Sequence, residues 1–381
     1  MAPHHRPRRR AVPGALLAVL LLAGCSGPGA TGNAAEDAAA DRPTATAPAA
    51  PPLPTTAVTT EGTLLVADFG ADTVTFVDPA RGALASVPVG TAPYALAVGG
   101  DGRAWVATAE GVAVVDTRAR TRPARIPYRT GSGPVDRGEY RGGGMGIALS
   151  PDGKRAYVGV NVPGGSGVLE VVDTATPEVT ATVPVGRRPF DVDVSRDGSE
   201  VYVTGHDSFD VTVVSGATLR PRRIEVAPYG TEGGLGSWLK PHYAVVRPAD
   251  GMLLLPFEGE RLAVVDPRSG RTTVETMTAD THQHGAALAP DGRLLVVGTG
   301  AVAGDGRGPS LTVRAPDGSE RVLPLRGPHE DVAVSRDGRT AYVTGGYTRD
   351  GFWDGITVVD LASGEMRRLA AGARPLGIAV L

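Results

Sequence analysis

One spacing constrains this chain more than any other feature. From Thr63 onward an apolar run, an Asp-Gly turn and a second apolar run recur along the chain. Gly146-Ile147-Ala148-Leu149-Ser150-Pro151-Asp152-Gly153 is repeated in frame by Asp191-Val192-Asp193-Val194-Ser195-Arg196-Asp197-Gly198 and by Asp331-Val332-Ala333-Val334-Ser335-Arg336-Asp337-Gly338. The turn aspartates Asp101, Asp152, Asp197, Asp250, Asp291 and Asp337 lie 51, 45, 53, 41 and 46 residues apart. A second marker, an apolar run closing on aspartate, occurs at Asp78, Asp116, Asp173, Asp266 and Asp360. Two units carry Val214-Ser215 and Val313-Arg314 in its place. A period in the forties with four short strands per unit is the mark of a β-propeller. The expected fold is all-β: a seven-bladed β-propeller of four-stranded antiparallel blades over residues 61–381. The final run, Pro375-Leu376-Gly377-Ile378-Ala379-Val380-Leu381, reads as strand A of a blade without its turn. It is predicted to complete the first blade, which opens on strand B near Thr63, so that no sheet edge stays open.

Composition excludes the alternatives. The 381 residues include 53 glycines and 32 prolines, too many helix breakers for a long helical protein. With 41% hydrophobic residues in recurring Val/Ile/Leu runs, disorder throughout is excluded as well. The single cysteine leaves no internal disulfide.

That cysteine belongs to the N-terminal segment. Arg6, Arg8, Arg9 and Arg10 precede an apolar run from Ala11 to Ala23, which is too short to span a bilayer and has the layout of a signal peptide. Its end, Leu22-Ala23-Gly24-Cys25, resembles the bacterial lipobox. The resemblance implies a lipoprotein signal peptide over 1–24, cleavage before Cys25, and a diacylglyceryl group on the Cys25 sulfur. The expected location is the extracytoplasmic face of the cell membrane, with the lipid as the membrane partner. Residues 25–60 read as the lipidated cysteine and an Ala/Thr/Pro-rich flexible tether. Loss of the four arginines takes the formal charge from −3 to −7, which disfavours nucleic acid as a partner. A monomer is expected.

The propeller repeats resemble the YVTN/YncE family of seven-bladed propellers. Tyr202-Val203-Thr204-Gly205 and Tyr342-Val343-Thr344-Gly345 carry the name motif, and Val185-Gly186-Arg187-Arg188-Pro189-Phe190-Asp191-Val192 matches the family's passage from strand D to strand A. The resemblance spans residues 63–381 and implies the fold; a propeller by itself implies no activity.

A four-strand meander puts A–B and C–D turns on one face and B–C and D–A connections on the other. The second face carries the long insertions, 127–144, 228–241, 300–309 and 345–355, and long loops in a compact domain are where function concentrates. All five histidines beyond the leader fall there: His206 in a B–C loop, and His242, His282, His284 and His329 in D–A passages. His242 and His284 align with Tyr94, Met145 and Phe190 at the inner start of strand A, beside the channel. His329 stands one position earlier, and Glu330 takes the Phe190 position.

Imidazoles with a carboxylate are zinc or copper ligands, so His242, His284 and His329, with Glu330 or His282, form a candidate metal site. The same residue types serve general acid–base catalysis, and aromatic-sized side chains also pack a channel mouth. A binding module for a metal, a small ligand or an envelope protein is the leading reading, with no cofactor beyond zinc or copper implied. Tyr243, Trp238, Tyr347 and Trp353 add aromatic surface to the same face as His206, although each also suits pinning its own loop. Lys240-Pro241-His242-Tyr243-Ala244-Val245-Val246, followed by residues 253–260, is similar to the Pro-His passages of seven-bladed lactonases. That resemblance implies lactone hydrolysis as the enzymatic alternative, with Glu258, Glu260 and Arg261 the nearest polar groups. The chain also resembles periplasmic propeller metallochaperones, which implies zinc carried near the channel, but residues 26–60 hold no histidine.

Overall fold

The computed structural model describes residues 62–138, 140–226, 240–257, 261–279, 283–298, 308–346 and 351–381. The strands in them form seven four-stranded antiparallel sheets, each a meander from inner strand A to outer strand D. The protein is a seven-bladed β-propeller. Its strand B segments are continuous apolar runs for a packing reason. Side chains alternate across a strand, and each blade is sandwiched between two others, so both faces need apolar cover. In blade 1, Leu64 and Val66 pack with Tyr342 and Ile356 of blade 7, while Leu65 between them packs with Val106 and Ala113 of blade 2. A distinct apolar cluster fills every one of the seven blade boundaries.

The repeated aspartates are turn devices. Asp101, Asp152, Asp197, Asp250, Asp291 and Asp337 each accept the amide two residues on, at 3.0–3.2 Å. The glycine following each takes a φ between +69° and +85°, where any side chain is strained. The second set caps the C–D turns. Asp173, for example, accepts the Ala175 and Thr176 amides, both at 2.8 Å. Among the described residues the only helix is the 3-10 turn His206–Ser208, and no helix is long and apolar enough to cross a membrane.

The ring closes as expected. The strand Pro375–Val380 pairs with Leu64–Asp68, with Leu64 opposite Val380 and Val66 opposite Ile378. Gly62 and Leu381 meet through a 2.9 Å backbone hydrogen bond, where the A–B turn of an ordinary blade would lie.

Near this seam, Asp68 is completely buried, and its Oδ2 accepts the hydroxyls of Thr73 (2.9 Å) and Thr75 (2.5 Å). Burial outweighs those bonds and pushes the carboxyl up to about 6. A raised carboxyl favours the fold in its protonated form, so this contribution is complete below about pH 4 and is lost as pH rises through about 6. The expected loss is at most about 3 kcal/mol. Denaturant midpoints should therefore fall between pH 4 and pH 7, and Asp68→Asn should flatten that slope.

Candidate functional site at the channel mouth

At the repeat position where strand A begins, or just ahead of it, stand Tyr94, Met145, Phe190, His242, His284, Glu330 and Leu376. Tyr94, Met145, Phe190 and Leu376 pack with Phe69 and Ala92 in one buried cluster, with Tyr243 against it. Phe190 is its centre. It meets Tyr94 edge-on at 5.5 Å between ring centroids and Tyr243 at 5.2 Å, and touches two imidazoles, His242 at 4.5 Å and His206 at 5.5 Å.

His206 and His242 are themselves in edge-to-face contact, with centroids 4.1 Å apart. His206 opens the 3-10 turn in the B–C loop of blade 4, and His242 lies just ahead of strand A of blade 5 (Val245–Val246), so the pair spans a blade boundary. Asp207 is the hub of the group. Its carboxylate bonds His206 Nδ1 at 2.8 Å, Arg188 at 3.2 Å and Lys240 Nζ at 3.1 Å. Burial opposes its ionisation, but the His206 bond and the two cations outweigh it and hold Asp207 far below the ordinary carboxylate range. Burial pushes His206 down to about 4, aided by the Arg188 and Lys240 charges and opposed by Asp207, so the ring is neutral near pH 7. His242 Nδ1 faces the Lys240 carbonyl at 3.2 Å. Arg188 holds a φ of +50° and lays its guanidinium on the exposed Tyr140 ring at 3.7 Å.

The other sequence-derived candidates separate. His329 is fully buried within blade 7, with Nδ1 at 2.9 Å from the Gly327 carbonyl and Nε2 at 2.7 Å from Thr357 Oγ1. Glu330, the next residue, turns the other way and accepts the Tyr243 hydroxyl at 3.1 Å. Consecutive residues of an extended chain point to opposite sides, so these two do not share a site. Trp353 packs beside His329 at 5.6 Å and under the Arg368 guanidinium at 4.4 Å. Both of these contacts are made within blade 7. His282, Trp238, Tyr347, Glu258, Glu260 and Cys25 lie outside the described residues, and of His284 only the backbone is described. Among the described residues no group of three or more His, Cys, Asp and Glu is arranged as a metal-ligand set.

Sequence reasoning missed Asp207 and Arg188, and also the aspartates that follow the mouth residues in blades 4 and 7. Asp191 accepts the Ala244 amide of blade 5 at 2.8 Å, and Asp331 the Ile378 amide of blade 1 at 3.3 Å. Burial pushes them up, to about 6 and about 8 respectively. A signal was present, because the same repeat position is Ala95, Gly146, Gly285 or Gly377 in four of the other blades and Tyr243 in the fifth, and a carboxyl there needs a partner. The cause of the small residues is close approach: a Cβ on Gly146 would come within 2.6 Å of the Asp191 backbone.

No known family profile matches the chain, and no curated protein matches it in sequence. Solved structures do resemble it. A Kuenenia stuttgartiensis hydrazine synthase chain is 20% identical, with a TM-score of 0.60 over 79% of this chain and 93% of its own. A functionally unknown protein from Desulfotomaculum acetoxidans is 11% identical, with a TM-score of 0.61 over 84% and 98%. The periplasmic gluconolactonase PpgL of Pseudomonas aeruginosa is 17% identical, with a TM-score of 0.59 over 84% and 99%. At such identities the likeness is one of fold.

Proposed function

We propose that this chain is a binding module of the cell envelope, held outside the cytoplasm by a lipid on Cys25, that takes a zinc or copper ion at its channel mouth. Its ligands are His206 and His242, with His284 at the same repeat position one blade further on. The supporting observation is that each of the two touching imidazoles has its Nδ1 backed by a protein acceptor, Asp207 for one and the Lys240 carbonyl for the other. Metal-ligating histidines are held from behind in this way, which fixes the ring and its tautomer. Zinc and copper are among the ions that imidazole suits. Glu330 and His329, engaged with Tyr243 and Thr357, are left out of the set.

Titration of the purified propeller with zinc and with copper is the test. One ion should bind per chain, His206→Ala and His242→Ala should each abolish binding, and His329→Ala should retain it. Binding that survives both of the first two substitutions overturns the proposal. A second reading, lactone hydrolysis, is favoured by the 2.8 Å bond between His206 and Asp207, since an imidazole oriented by a carboxylate is a general base with its orienting group. It requires turnover of a sugar lactone that is lost in His206→Ala.

A further inference from the structure

On the outer side of the turn that carries His206, a cleft of 430 Å³ opens between blades 3 and 4. Arg187, Ser208, Asp210, Thr212, Arg222 and Arg223 are among its lining residues. Its single lining carboxylate is already committed. Asp210 is 1% exposed, is paired with Arg223, and accepts the Ser208 hydroxyl at 2.6 Å. Arg222 is paired with Glu200 at 2.7 Å. The Arg187 side chain is half-buried, yet its guanidinium has no hydrogen-bond or ion-pair partner among the described residues; its backbone is tied on both sides, the amide to Ser208 Oγ at 2.8 Å and the carbonyl accepting the Asp207 amide at 3.2 Å. Thr212 Oγ1 accepts the Gly186 amide at 3.1 Å, which leaves its own O–H to donate. The cleft therefore presents unspent donors and a spare positive charge, with its one carboxylate neutralised. A half-buried guanidinium loses part of its hydration, and a planar oxyanion is the partner that restores it.

We infer that this cleft is a binding site for a small organic oxyanion, a phosphate ester or a carboxylate, with Arg187 as its anchoring cation. The volume falls within the range of small-molecule sites, so the ligand carries an organic body beside its anionic head. The wall is built to a fixed shape. A Cβ on Gly186 or Gly205 would collide with Ser208 and Asp210, so both positions hold glycine to let those side chains close against the backbone. The cleft shares the His206–Ser208 turn with the imidazole pair, but neither His206 nor His242 is among its lining residues.

Calorimetric titration with glycerol 3-phosphate and with citrate, at low ionic strength and in metal-free buffer, tests the inference. Saturable binding of either is expected, and which of the two binds identifies the head group. Arg187→Gln should weaken it at least about tenfold, as loss of a charge-assisted pair does, with an unchanged melting temperature. His206→Ala should leave it intact, so that failure here and failure of metal binding are separately visible. No binding of either anion up to about 10 mM, or equal binding by Arg187→Gln, overturns the inference.

Discussion

Deletion of residues 375–381 should abolish cooperative folding, with no resolvable thermal transition and a collapsed or aggregated species in gel filtration. This strand is the only covalent piece of blade 1 that comes from the far end of the chain. Its loss strips the ladder from Leu64, Leu65 and Val66 and turns strand B of blade 1 into an open edge. It also removes the bonds from Leu381 to Thr63, from Gly377 to the Tyr94 carbonyl and from Ile378 to Asp331. Leu376 and Ile378 leave the clusters that seal blade 1 to its neighbours, and each buried apolar side chain lost removes roughly 2 kcal/mol or more. Several such losses exceed the stability of an ordinary domain, about 5–15 kcal/mol. The complementary variant should fold: joining Leu381 to Gly62, already hydrogen-bonded, and opening the chain at the A–B turn of blade 4 relocates the seam without removing it. A deletion variant that melts cooperatively near the parent temperature would show that seven blades do not need this strand.

What could be read in advance follows from which interactions are local. The Asp-Gly turns announce themselves because an aspartate accepting the amide two residues on, followed by a glycine at positive φ, is complete within four residues. Strands B and C are legible because they are buried on both faces, whereas the outer strands D are largely exposed, and the closing strand is legible because it is a strand A with no strand B after it. At the mouth, the repeat alignment correctly groups His242 with Phe190. It cannot tell that His329, one position off the frame, turns into blade 7 toward Thr357, because a single residue step in an extended chain reverses the side chain. His206 is legible as a loop histidine on the right face. Its contact with His242 depends on how a 3-10 turn seats against the neighbouring blade, and no spacing in the sequence encodes that.

Arg141→Ala should cost about 3–5 kcal/mol, the second largest loss expected in this protein. Arg141 lies in the insertion between blades 2 and 3 and is 2% exposed. Its guanidinium donates to the carbonyls of Ala92 (2.7 Å), Gly142 (2.9 Å) and Gly144 (2.9 Å), and faces the Phe69 and Tyr94 rings at 5.9 and 5.7 Å. Among the described residues no carboxylate is paired with it; three peptide dipoles and two ring faces stand in for one. Truncation removes the donors from three carbonyls and opens a hole beneath the mouth cluster. The insertion is also tied down independently of this side chain: the Arg141 carbonyl accepts from Asn161 at 2.8 Å, and Glu170, fully buried, takes the Thr130 amide at 2.7 Å. Arg141→Lys separates charge from geometry. A lysine keeps the cation, but its compact ammonium cannot reproduce the planar fork, so it should lose most of what alanine loses. Urea denaturation of the parent and the two variants checks this. If lysine restores the parent midpoint, charge alone holds the insertion; if alanine shifts it by less than about 1 kcal/mol, Arg141 is not the keystone of the channel mouth.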